Sequence, residues 1–270
     1  MKKILIASTA LVATAGIASA EIGFSGAAGF GVVYDGSDWG PDYYTTLSVS
    51  MTGETDGGLS FGASYDITQD NGGTGVGDTE VYVEGGFGKL TVGAVGSAVD
   101  AKLGIGDIGY SGLGVDNRAE SIIDDNDAGN IMYTGSFGDF GVAMSIDMGV
   151  GSADNFSIAA TYAMGDYNFG VGYDDAESAI SVKAGGSFGD IALNALYSRS
   201  SDTDEDAFGI HAAYTMGAAT ISAAYADSDR EGEAYGLGIS YDLGGGASVD
   251  AGVAEVEGTT VADLGINMTF

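Results

Sequence analysis

The chain contains one histidine, His211, and no cysteine in 270 residues. An acid–base or nucleophilic site needs a partner set around its imidazole, and none is readable near His211. No thiol means no disulfide framework and no thiolate-bound zinc. Gly104-Ile-Gly-Asp-Ile-Gly109 spells G-x-G-x-x-G. That spelling cradles a phosphate only between a strand and a helix of a parallel crossover, and the flanking residues offer neither. Asn155-Phe-Ser157 and Asn267-Met-Thr269 have the form of glycosylation sequons, but both lie at or inside strand-like segments. Asp202-Thr-Asp-Glu-Asp206 opens like a calcium loop, yet lacks the glycine and terminal glutamate of an EF-hand. The acidic loops leave structural Ca²⁺, held by oxygen ligands, as the one metal alternative. Otherwise no cofactor is expected, and the chain does not read as an enzyme.

What remains is electrostatic. Residues 95–129 form the longest stretch without regular alternation. They hold Asp100, Asp107, Asp116, Glu120, Asp124, Asp125 and Asp127 against only Lys102 and Arg118. Lys183 alternates with Ser181 in a strand-like segment, and Arg199 ends another. Lys89 belongs to a short turn and Arg230 to an outer loop. Lys2 and Lys3 precede an apolar run, Ile4 to Ile17, that ends in Ala18-Ser19-Ala20. This predicts a cleavable secretory leader over residues 1–20 and a single domain over residues 21–270. The whole chain has 39 acidic and 8 basic residues. Loss of Lys2 and Lys3 leaves 6 basic groups, and 6 minus 39 is a net charge of -33. Such a chain repels phosphate backbones, so nucleic acid is not a partner. With 45 % hydrophobic residues it is not an acidic disordered tail either.

The elements that must position these charges are strands. From Ile22 onward the period is two. Leu59, Phe61, Ala63, Tyr65 and Ile67 share one face, while Ser60, Gly62, Ser64 and Asp66 share the other. His211 alternates with Ile210 and Ala212, which puts it on the polar face. Short glycine turns recur at Phe87-Gly88-Lys89, Phe137-Gly138-Asp139, Met164-Gly165-Asp166, Phe188-Gly189-Asp190, Met216-Gly217-Ala218 and Leu243-Gly244-Gly245, with a longer one at Thr52–Gly58. Seven such turns interleave with eight acidic connections, near residues 35–42, 68–78, 95–129, 149–154, 174–177, 200–206, 227–233 and 256–259. Seven plus eight is fifteen connections, hence sixteen strands. The predicted fold is all-β, a 16-stranded antiparallel transmembrane β-barrel with short turns at one end. Tyr34, Tyr65, Tyr162, Tyr173, Tyr197, Tyr214, Tyr225 and Tyr241 sit near strand ends on the apolar face, as in the aromatic girdles of such barrels. A soluble double sheet also alternates, but dense Gly, Ser, Thr, Asn and Asp on the other face suit a wet lumen better.

At the level of whole segments the chain resembles the porins of the Rhodobacter group of alphaproteobacteria. The resemblance is carried by Glu21–Gly26, Gly31–Trp39, Met51–Tyr65, Tyr235–Ser248 and Val261–Phe270. It implies a homotrimeric outer-membrane porin for passive diffusion of small hydrophilic solutes and ions. It also implies a third loop, here residues 95–129, folded into the lumen with its carboxylates facing basic wall residues. Lys102, Arg118, Lys183 and Arg199 are the basic pore-lining candidates, and His211 is a further lumen candidate. Phe270 resembles the family's C-terminal assembly signal. The implied partners are outer-membrane lipid, periplasmic chaperones and the barrel-assembly machinery. One departure matters: the second strand, Tyr43–Met51, lacks the arginines that the family wall normally supplies there. The expectation is therefore a cation-preferring lumen. The alternatives are a substrate-specific channel and a non-channel surface or adhesive barrel.

Overall fold

The computed structural model describes residues 20–123, 131–148 and 155–270. Apart from Ala20, the expected leader lies outside the described residues, as do Asp124, Asp125 and Asp127. The chain forms β1 (Glu21–Tyr34), β2 (Trp39–Glu54), β3 (Ser60–Asp70), β4 (Gly73–Gly85) and β5 (Gly88–Gly93). Two short helices follow, α1 (Asp100–Leu103) and α2 (Val115–Glu120). Then come β6 (Ile131–Phe137), β7 (Phe140–Asp147), β8 (Asn155–Met164), β9 (Tyr167–Asp174), β10 (Ala179–Phe188) and β11 (Ile191–Ser200). The wall ends with β12 (Asp206–Met216), β13 (Ala219–Ser228), β14 (Ala234–Gly244), β15 (Ala247–Val256) and β16 (Thr259–Thr269).

Each strand pairs antiparallel with its sequence neighbours, and β16 pairs with β1 to close the barrel. Closure pairs neighbouring strands all the way round, as a wall facing lipid requires, and the start of β4 from Gly73 extends past its ladder with β5, a ladder that begins at Glu80. At the seam Phe270 exchanges hydrogen bonds with Gly26 (2.8 and 3.2 Å), so the last residue is paired. The period-two pattern becomes two faces. Ile22, Phe24, Phe30 and Val32 of β1 are exposed outward, and Ile180, Val182 and Phe188 of β10 likewise. Tyr197, Tyr214, Tyr225 and Tyr241 are exposed on the same outer face. Gly138, Gly165, Gly189 and Gly217 hold φ of 64°, 62°, 68° and 64° in the short turns, a conformation that disfavours any other residue.

Two acidic connections are shorter than their composition predicts. Residues 68–78 were expected as a loop, but β3 and β4 run through them and only Asn71 and Gly72 join the strands. Thr68, Gln69 and Asp70 pair with Gly75, Thr74 and Gly73. Both faces of that hairpin are wet, so no apolar alternation betrays it. The connection near 35–42 shrinks in the same way, because β2 already begins at Trp39. The exception is the segment between β5 and β6, which enters the barrel. Val99, Leu103, Val115 and Ala119 in it are fully buried. The apolar core of this molecule thus lies inside the barrel, between that segment and the wall.

Candidate functional site

The inward segment is seated against one side of the barrel. Val99, Leu103, Ile108, Leu113, Val115, Ala119 and Ile123 pack with Leu196 of β11, Ala224 and Ala226 of β13, Ala234 of β14 and Ala254 of β15. The wall makes room by having no side chains where the segment lies. A Cβ placed on Gly172 of β9 would lie 2.8 Å from Val99, and one on Gly209 of β12 would lie 2.5 Å from Ala119. Gly236 of β14 receives Ile108, and Gly252 of β15 receives Leu113, at 2.5 and 2.8 Å by the same construction. Tyr110 lies over Gly31 and Gly265 at the β1–β16 seam. The glycines on the polar face therefore have two uses. Some border water, and a track of them from β9 round to β1 receives the segment.

Polar contacts fix the segment along its length. The Ala98 N–H donates to Ser157 Oγ (2.6 Å) and Ser145 Oγ (3.0 Å), which are themselves 2.7 Å apart. Lys183, inward from β10 beside Ser181, donates its Nζ to the Gly104 carbonyl. Glu120 accepts the Ile105 N–H at 2.7 Å, tying the end of α2 to the stretch after α1. Ser111 donates its N–H (2.9 Å) and hydroxyl (3.1 Å) to the buried Asp263 of β16. Arg118 pairs with Glu231. Arg230 donates to the Ser121 carbonyl (2.8 Å) and pairs with Glu177 (2.7 Å) and Glu205 (2.9 Å).

These contacts place the sequence candidates. Asp107, Asp116 and Glu120 come together on the segment. Burial first, and then the charges of Asp116 and Asp100, push the Glu120 carboxyl up to about 7. The Ile105 N–H and Lys183 only partly offset them. Asp107 is still open to the lumen, but partial desolvation and the neighbouring Asp116 raise it to about 6. Asp100 begins α1, its N–H donating to Ser97 Oγ at 3.0 Å. His211 does face inward, from β12, and is 9 % exposed beneath Gly106.

Two basic candidates need correction. Arg199 shares the outer face of β11 with Tyr197 and pairs with Asp204 and with Asp206 (2.6 Å), so it does not line the pore. Arg118 is committed to Glu231 and anchors the segment rather than presenting a free charge. Lys89, expected in a turn, is the second residue of β5 and faces inward, with its Nζ 4.3 Å from the Tyr82 ring centroid. One signal for it existed: Lys89 alternates with outward Leu90. Three of the four carboxylates of 202–206 are partnered by arginines, Asp204 and Asp206 with Arg199 and Glu205 with Arg230. Among the described residues no group of three or more metal-ligating side chains is arranged to hold a metal.

Opposite the segment, β2 to β4 turn Asp42, Asp66, Glu80 and Glu84 inward, by their register with Gly31, Ser48, Ser64 and Ser60. Ser48, Thr46 and Thr68 continue this polar wall, with Thr46 and Thr68 hydroxyls 3.1 Å apart. A closed barrel, apolar outside, with a polar lumen narrowed by an inward acidic segment, can conduct hydrophilic solutes through a membrane without a reacting group.

Comparison with known proteins agrees. The pattern of the Gram-negative porin family matches residues 7–260. The porin of Rhodobacter capsulatus is 31 % identical, over 93 % of this chain and 100 % of that protein. A refined porin structure superposes with a TM-score of 0.77 at 29 % identity, covering 93 % of this chain and 100 % of that one. A triple mutant of Rhodopseudomonas blastica porin shares the fold, with a TM-score of 0.81 at 24 % identity, over 92 % of this chain and 100 % of the other. An outer-membrane location and channel function follow, and the chain belongs to the Gram-negative porin family.

Proposed function

We propose that this porin lets small hydrophilic solutes and ions diffuse passively and prefers cations. The observation that carries the preference is the distribution of charge around the open part of the lumen. Asp100, Asp107, Asp116 and Glu120 lie on the inward segment, and Asp42, Asp66, Glu80 and Glu84 on the wall across from it. Of the six basic residues after the expected leader, Arg118, Arg199 and Arg230 are held in ion pairs, Lys183 is bound to a backbone carbonyl, and Lys89 and Lys102 lie at the short-turn end. Carboxylates on both sides give no transverse field, and they raise the local cation concentration. The homotrimer, the role of Phe270 as an assembly signal and the periplasmic assembly partners belong to the same proposal and rest on the family resemblance.

The test is the zero-current voltage of single channels in a planar bilayer under a KCl gradient. A cation-selective voltage supports the reading. An anion-selective one would falsify it.

A further inference from the structure

Two ammonium groups escape the pairing that occupies the other cations. Lys89 of β5 and Lys102 of α1 line one hollow of about 310 Å³ with Glu84, Thr134 and Ser136. It lies at the short-turn end of the lumen, since β4 joins β5 through Gly86 and Phe87, and β6 joins β7 through Gly138 and Asp139. One lysine comes from the wall and the other from the inward segment, so both border the same hollow. Lys89 stands opposite Glu84 in the β4–β5 register, yet it turns over the Tyr82 ring instead. Among the described residues neither lysine has a carboxylate within ion-pair distance, and the hydroxyls of Thr134 and Ser136 make no hydrogen bond.

We infer that Lys89 and Lys102 form an anion-binding subsite at the periplasmic end of the pore, taking one oxyanion group, a carboxylate or a phosphate, of a passing solute. The chemistry is that of two point charges with mobile donors, completed by two hydroxyls. The hollow holds two positive charges against one carboxylate, in a lumen that is elsewhere negative. Its size suits a small solute end rather than a polymer. An acidic lumen alone repels such a group along its whole length, and the subsite gives it one favourable position beyond the constriction. The inference goes beyond cation preference and can fail separately from it.

The experiment adds inorganic phosphate to the short-turn side of oriented single channels in KCl and follows the K⁺ current. The wild-type current should fall with a saturating dependence on phosphate. The K89Q/K102Q variant should need about tenfold more phosphate for the same block, as expected for the loss of hydrogen bonds to a charged group. Arg199→Gln removes one positive charge from the outer face and should be blocked like wild type. Equal block of wild type and K89Q/K102Q overturns the subsite, and so does the absence of block in a conducting wild-type channel. Loss of block in Arg199→Gln overturns it too, because net charge would then be the cause. Cation preference is read from the zero-current voltage and stands or falls on that alone.

Discussion

Glu120 belongs to the inward segment and accepts the Ile105 N–H. Its carboxyl is raised to about 7 chiefly by burial, and Asp107 nearby is raised to about 6. A carboxylate with a raised folded value binds its proton more tightly in the seated loop than in a free one. Its contribution to loop attachment is therefore present at low pH and lost as pH rises through about 7. Its contribution to selectivity runs the other way, because only the ionised form attracts cations. Cation preference should fall as pH drops from about 8 to about 5, first with Glu120 and then with Asp107. Glu120→Gln keeps an acceptor for the Ile105 N–H and should remove the upper part of that change. A permeability ratio that stays flat over this interval rejects the assignment. Residues at this scale were only half legible in the sequence. Alternation put Lys183 and His211 on the inner face of the wall, and both side chains point to the inward segment, because mid-strand parity leaves no choice. It could not show that Arg118 is bound by Glu231, 113 positions along the chain, or that Lys89 sits just inside a strand rather than in its turn. Those depend on long-range contacts and on a one-residue boundary.

The inward segment is a lining with its own apolar core, which is why its acidity alone did not reveal it. Leu103 is fully buried and packs on the bare backbone of Gly170 and Gly172 in β9. The same glycines read, in sequence, as part of a wet face. A glycine beside water and a glycine beside a leucine look identical until the segment is brought against it. The helical turns were unreadable for a related reason. At four and six residues, α1 and α2 are too short to show a period. The barrel wall was legible because ten-residue strands repeat their alternation many times over. Leu103→Ala should leave the strand ladder intact and weaken seating of the segment by about 2–5 kcal/mol. Amides of Val99 to Leu103 should then exchange faster with solvent, while amides of β9 and β10 keep their protection. Equal loss of protection in the wall would mean that the segment and the barrel unfold together.

At the scale of the whole molecule, selectivity is a property of the summed field rather than of any one residue. The chain carries a net formal charge of -31, and carboxylates line both sides of the open lumen. Such a field acts over about a Debye length, ~10 Å at 0.1 M salt and ~3 Å at 1 M. Cation preference should therefore be greatest in dilute KCl and shrink steadily as both sides are raised towards 1 M, while conductance grows without saturating. A substrate-specific channel behaves differently. Its discrimination rests on short-range contacts at a site, so it persists in high salt, and its flux saturates when the site fills. Measuring zero-current voltage at a fixed concentration ratio over a series of mean salt concentrations separates the two. Preference that persists undiminished at 1 M would move the explanation from the field to a binding site. The constriction would then be selecting by contact, with the segment held by Lys183, Asp263 and Arg230 as its rigid frame.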